Sequence, residues 1–251
     1  MNTVKQLVLS SLFVVATPAL ADVSQTIEKT FEVGDSSQLI LENVNGDVTI
    51  SSWDQSKIMV TAVKVANDQD ALDRMQVILK QSGDRVVVET EYKSDEGWGK
   101  NANGGSIEFT VKVPTNAKLR DIDLVNGSLQ VNDVAGELNV DIVNGSVEAT
   151  GLASDVEIDS VNGGVELKFS NTASNIDIDV ETVNGGIRLY LPSDFSAEID
   201  ASTGNGAIKT EFGLQGIKGK YYGTDLEGTI GNGDANIDLD SVNGSIRILK
   251  N

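Results

Sequence analysis

The sequence predicts an all-β chain: a single-stranded parallel β-solenoid (a β-helix), right-handed by preference, with a less regular β-rich N-terminal region. Three observations carry that expectation. First, Val-Asn-Gly recurs at residues 44–46, 125–127, 143–145, 161–163, 183–185 and 242–244, with Gly-Asn-Gly at 204–206 and 231–233. A recurring phrase of this kind marks repeat architecture. Second, the spacing is nearly constant: 18 residues from Asn126 to Asn144 and again to Asn162, then 22 to Asn184 and 21 to Asn205. Third, columns appear when the copies are aligned on the Asn. Leu41, Ile122, Val140, Ile158, Val180, Ala201 and Leu239 stand four before it, and Val48, Leu129, Val147, Val165, Ile187, Ile208 and Ile246 three after it. A period of two on both flanks gives two strands, each with one buried face, joined at an Asn-Gly corner whose residues tolerate positive φ. A meander of hairpins with type I′ Asn-Gly turns fits the same signals. Constant periods and like residues in like columns favour the stacked coil.

The chain divides in order as follows. Residues 1–21 read as a signal peptide: Lys5 supplies the positive start, Leu7 to Val15 the apolar stretch, and Ala19-Leu20-Ala21 the cleavage site. Export to the periplasm or the cell surface is therefore expected, with cleavage after Ala21. No later stretch is long and apolar enough for a transmembrane helix. Residues 22–118 read as a β-rich part of the solenoid or its cap. Within it, Gln38 to Ile50 is a strand pair, and Lys57 to Val65, Val77 to Lys80, Arg85 to Tyr92 and Ser106 to Val113 are strands. Asp68 to Met75 suits one or two helical turns. Residues 119–251 hold the regular repeat. The 38 residues from Asn205 to Asn243 require an inserted loop or a degenerate copy there.

Composition narrows function. The chain has no His and no Cys, so Ser-His and Cys-His catalysis, disulfides and the commonest transition-metal ligands are excluded. The formal charge is −19 and becomes −20 once Lys5 leaves with the leader. So acidic a chain argues against nucleic acid or an anionic membrane as partner. It suits cationic partners, divalent ions or plain solubility. The sequons at Asn126, Asn144 and Asn243 read as turn residues.

The pattern resembles the "putative adhesin" family of secreted bacterial β-helix domains of unknown function. The carriers are Leu39 to Ile50, Trp53, Val111 to Leu119, the Val-Asn-Gly copies, and Ile237 to Ile248. The resemblance covers nearly all of the mature chain. It implies a β-helix fold and a surface interaction role, and it brings no catalytic or ligand residues with it.

Two groups of residues are candidates for a site. Outward positions three before each Asn are Glu42, Asp123, Asp141, Asp159, Glu181 and Asp240; those five before include Asp121, Glu157, Asp179, Asp200 and Asp238; a third acidic column, seven before, includes Glu137, Asp155 and Asp177. Stacked, they form acidic ladders whose repulsion costs on the order of 1 kcal/mol per contact in water. Bridging Ca²⁺, a cationic partner, or simple solvation would each accommodate it. No other cofactor is expected. The second group lies in loops: Trp98, and the cluster Lys218, Lys220, Tyr221 and Tyr222, which either bind a ligand or cap the stack. The leading expectation is a non-enzymatic envelope or surface interaction protein whose partner is an envelope protein or glycan. A polysaccharide lyase or hydrolase using paired carboxylates and a purely structural envelope protein are the alternatives.

Overall fold

The computed structural model describes residues 22–93, 105–170, 175–218 and 223–251. It is all-β, with two large mixed sheets of ten and eleven strands and, among the described residues, a single six-residue helix. The N-terminal elements are β1 (Val23–Glu32), β2 (Gln38–Asn45), β3 (Val48–Trp53), β4 (Lys57–Ala66), α1 (Gln69–Arg74), β5 (Met75–Ser82), β6 (Arg85–Tyr92) and β7 (Gly105–Pro114). The repeat units follow as strand pairs: β8 and β9 (Lys118–Asn126, Leu129–Asn132), β10 and β11 (Leu138–Asn144, Val147–Leu152), β12 and β13 (Val156–Asn162, Val165–Phe169), and β14 and β15 (Asp177–Asn184, Ile187–Leu191). Then come β16 and β17 (Ala197–Asn205, Ile208–Thr210), β18 (Ile217–Lys218), β19 (Thr224–Ile230), and β20 and β21 (Asn236–Asn243, Ile246–Lys250).

Each repeat gives its first strand to the eleven-stranded sheet and its second to the ten-stranded sheet. The Asn-Gly corner is where the chain changes sheets, and the two strands flanking it do not pair, so these corners are not hairpin turns. Like strands stack in parallel and in register, for example Val140 opposite Ile158 and Val147 opposite Val165. The columns four before and three after the Asn are buried throughout and fill the space between the sheets. The largest side chains there include Phe109 and Phe169, and Phe169 meets Phe195 with ring centroids 6.3 Å apart.

The corner is held by its backbone and its amides. Asn126 donates to Asn45, Asn144 to Asn126, Asn162 to Asn144, Asn184 to Asn162, Asn243 to Asn184 and Asn205 to Asn243, each Nδ2 to Oδ1 at 2.8–3.0 Å. None of these Asn residues has positive φ; among the described residues the non-Gly residues that do are Asp121, Asp133 and Asn175. Asn is there for its amide, which both donates and accepts along the stack. The glycine is there for space: a Cβ on Gly145, Gly163 or Gly244 would lie 1.7–2.0 Å from the carbonyl oxygen of the neighbouring corner glycine.

Two features depart from a parallel solenoid running from end to end. The parallel run is flanked by antiparallel strands, β1–β4–β7 and β5–β6 at one end and β16–β19–β18 at the other. A stack of parallel strands must end in unpaired edges, and among the described residues the antiparallel strands lie outside three of the four, leaving β17 at the edge of the ten-stranded sheet. The coils also do not follow chain order. The pair β2–β3 lies between β6–β7 and β8–β9, and the pair β20–β21 lies between β14–β15 and β16–β17. Pairing runs unbroken across residue 118, because β2 and β3 stack directly on β8 and β9. The Asn205–Asn243 interval holds β17, β18 and β19, which carry the chain around the inserted last coil.

Helix α1 starts at Asp68, whose side chain accepts from the Ala71 N–H at 2.7 Å. It packs on β4 and β1 and covers Lys64, which lies on the core face of β4 with its ammonium 2.8 Å from the Gln25 side-chain oxygen. Burial lowers the Lys64 pKa, and the Asp73 carboxylate opposes that shift.

Candidate binding groove

The outer face of the eleven-stranded sheet shows the residues that alternate with its core columns. The column three before each Asn is brought together as one ladder. Glu42 stands opposite Asp123, then Asp141, Asp159, Glu181 and Asp240 follow on successive strands, and Ser202 ends it. The Ser202 hydroxyl donates to the Asp240 carboxylate. The column five before runs Asn139, Glu157, Asp179, Asp238, Asp200. Asn139 donates to Glu157 at 2.8 Å.

Asp121 is not in that ladder. The register between β8 and its two neighbours shifts between Leu119 and Ile122, so Arg120 and Asp121 together face a single residue on each side, and Asp121 has φ 50°. This is a β-bulge, and counting residues back from Asn126 misassigns the extra one. In its place Arg120 meets Glu137 at 2.7 Å, and Lys118 meets the same carboxylate at 3.1 Å. Desolvation of Glu137 opposes its ionisation, but these two cations outweigh it and hold its pKa below the ordinary value.

Four carboxylates of the ladders shift the opposite way. Asp123, Asp159, Asp179 and Asp238 all have raised pKa values, first from partial burial and then from neighbouring carboxylates. For Asp159 those neighbours are Asp141 and Glu157; for Asp179 they are Glu181, Glu157, Asp159 and Asp240. One oxygen of Asp123 is buried without a hydrogen-bond partner. The carboxylates stand in rows set by strand spacing. Among the described residues, no three His, Cys, Asp or Glu side chains converge as a metal site requires.

Two residues nearer the corner lies a column that the sequence reading used only as a marker. Val44, Val125, Val143, Val161, Val183 and Val242 are 37–52% exposed, and among the described residues the only other large apolar side chain classed as exposed is Ile217. The signal was available: a residue one before the Asn shares parity, and hence face, with those three and five before it. Between the valine column and the carboxylate column runs a groove of about 670 Å³, from Asp123 and Val125 on β8 to Ser202 and Gly204 on β16. It lies across the strands, with an apolar side and an anionic side repeated on the five strands β8, β10, β12, β14 and β20. A smaller hollow of about 360 Å³ lies beside Glu137, Glu157, Asp177 and Asp179.

The loop candidates Trp98, Lys220, Tyr221 and Tyr222, and the leader 1–21, lie outside the described residues. The backbone of Lys218 belongs to β18, paired opposite Thr224. Among the described residues, no helix is long and apolar enough to cross a membrane.

Among curated proteins, none matches this sequence. Solved structures do. A "putative cell adhesion protein" from Clostridium sporogenes ATCC 15579 is similar over 89% of this chain and 99% of its own, at 14% identity and a TM-score of 0.50. A "putative adhesin" from Bacteroides fragilis NCTC 9343 is similar over 89% of this chain and 96% of its own, at 13% identity and a TM-score of 0.43. At such identity the first of these shows a shared fold. The profile of the Toastrack DUF4097 family matches residues 121–249, more than half of the sequence, and the chain belongs to that family.

Proposed function

We propose that this protein is an exported, non-enzymatic interaction module of the cell envelope or surface, built as a β-solenoid and binding its partner through the groove on the eleven-stranded sheet. The single observation that carries the reading is the groove itself. Five exposed valines stand in one row beside five carboxylates in another. Contiguous exposed apolar surface on a water-soluble fold marks an interaction site. Repetition on five stacked strands makes an extended, even surface rather than a pocket around one reacting bond, which suits recognition. The acid–base cluster at Glu137 is neutralised by its two cations and belongs to the bulge, so it serves the fold. The adhesion-related description of the fold neighbour points the same way.

The test is retention from envelope extract on immobilised protein. A component held by wild type and by Glu148→Gln, which alters the outer face of the opposite sheet, should be lost from Asp141→Asn/Val143→Ser. Equal retention by all three overturns the assignment of the groove.

A further inference from the structure

We infer that the groove docks a basic amphipathic α-helix of another protein, laid along the stack axis with its Lys and Arg side chains on the carboxylate column and its apolar stripe on the valine column. The inference rests on the binding reading above and adds the partner's chemistry.

Charge complementarity sets the sign. Asp123, Asp141, Asp159, Glu181 and Asp240 have no Lys or Arg partner among the described residues, whereas Glu137 on the same sheet has two. A second copy of this chain, at formal charge −19, brings the wrong sign. Anionic lipid does the same.

Spacing sets the shape. Neighbouring strands place the rungs about 4.8 Å apart, close to the helix pitch of about 5.4 Å. An extended peptide advances about 3.3 Å per residue and turns alternate side chains away, so it falls out of step with the rungs. The helix mismatch of about 0.6 Å per rung is taken up by flexible Lys and Arg stems. On each rung the valine lies two residues along the strand from the acid, about 6.8 Å away. A helix lying over both columns therefore presents charge along one edge and apolar surface along the other. Five rungs span about 19 Å, the length of about 13 helical residues. At the far end Ser202 and Gly204 replace acid and valine, so the outermost pair β16–β17 offers neither contact and the paired columns stop there.

The experiment uses the mature protein and a labelled Leu/Lys peptide of about 14 residues with amphipathic helical spacing, beside a scrambled peptide of identical composition. Binding is followed by fluorescence anisotropy in about 0.15 M salt, and peptide helicity by circular dichroism. The amphipathic peptide is expected to bind at least about tenfold tighter than the scramble and to gain helicity. Asp141→Asn/Asp159→Asn and Val143→Ser/Val161→Ser should each weaken it by about tenfold, and Glu148→Gln should not. Melting curves check that each variant is folded, and the single Val161→Thr replaces any variant that is not. If both peptides bind equally and only the carboxylate variant matters, the helix is overturned and the groove survives as an anionic surface. If wild type binds neither peptide, the helix is overturned as well. If neither groove variant changes the binding of either peptide, the groove reading falls with it.

Discussion

Gly163 packs so tightly on Gly145 that a Cβ added to it would sit 1.7 Å from the Gly145 carbonyl oxygen. The obstacle is backbone, which cannot rotate away. The next residue, Gly164, is different: its added Cβ would meet the Gly186 carbonyl oxygen at 3.5 Å, an ordinary contact. Gly163→Ala should therefore cost about 3 kcal/mol or prevent folding, because the coils must separate to admit the methyl group. Gly164→Ala should change stability by less than about 0.5 kcal/mol. Thermal melts of the two neighbouring variants decide it, and equal losses would mean that stacking distance is not what selects glycine.

Asn144 both accepts from Asn162 and donates to Asn126, at 3.0 and 2.9 Å. The ladder is exposed, so water competes for each bond. Asn144→Ala should cost about 1 kcal/mol. Asn144→Asp keeps the acceptor but loses the donor and sets a carboxylate against the Asn126 side-chain oxygen. At neutral pH it should cost more than the Ala variant, and the excess should vanish as the new carboxyl is protonated. Denaturant unfolding of both variants at neutral and acid pH measures this.

The raised aspartates give stability a definite pH slope. Asp123, Asp159, Asp179 and Asp238 have folded pKa values above the ordinary 3.8, so between 3.8 and the raised values the folded chain holds more protons than the unfolded one. Their contribution to stability is present at low pH and is lost as pH rises through the raised values. Glu137, with its pKa lowered by Lys118 and Arg120, contributes stability that is lost as pH falls. Four groups against one, the melting temperature should rise as pH is lowered from 7 toward the carboxylate range. Asp159→Asn should flatten that rise and stabilise the neutral protein by an amount on the order of 0.5 kcal/mol, the scale of an exposed charge contact. A melting temperature that only falls on acidification would count against net repulsion in the ladders.

These columns were legible in the sequence because parallel, in-register stacking puts equivalent residues on top of one another. Leu41, Ile122, Val140 and Ile158 line up in the text for the same reason that they touch in the fold. Registers that depend on an extra residue were not legible: the bulge at Arg120 and Asp121 moves Asp121 out of a ladder to which counting had assigned it. Nor was the order of the coils. Residues 236–250 carry the same columns as every other repeat, so their pattern fits any slot in the stack. The valine column was written in full, yet its exposure followed only from face parity, which the marker role of Val-Asn-Gly obscured.

The slot actually taken by the last coil leads to a prediction about truncation. In a repeat array that follows chain order, removing the final repeat shortens the stack by one unit and leaves the remainder paired. Here β20 pairs on one side with β14 and on the other with β16, and β21 lies likewise between β15 and β17. Deleting residues 236–251 removes an internal coil. It leaves β14 and β15 with open edges, and it leaves β16 and β17 without the partners that hold them to the stack. The detached unit would have to close over a gap of one coil, and β17, only three residues long, offers little to pair with. The truncated protein should lose cooperative melting in its C-terminal part and aggregate through the exposed β14 and β15 edges. Removing the N-terminal strand β1, which among the described residues pairs only with β4, should cost far less. Hydrogen exchange separates the cases. Amides of β14 and β15 should lose protection in the C-terminal truncation and keep it in the N-terminal one. Equal protection in both would show that coil order has no bearing on how the stack is held.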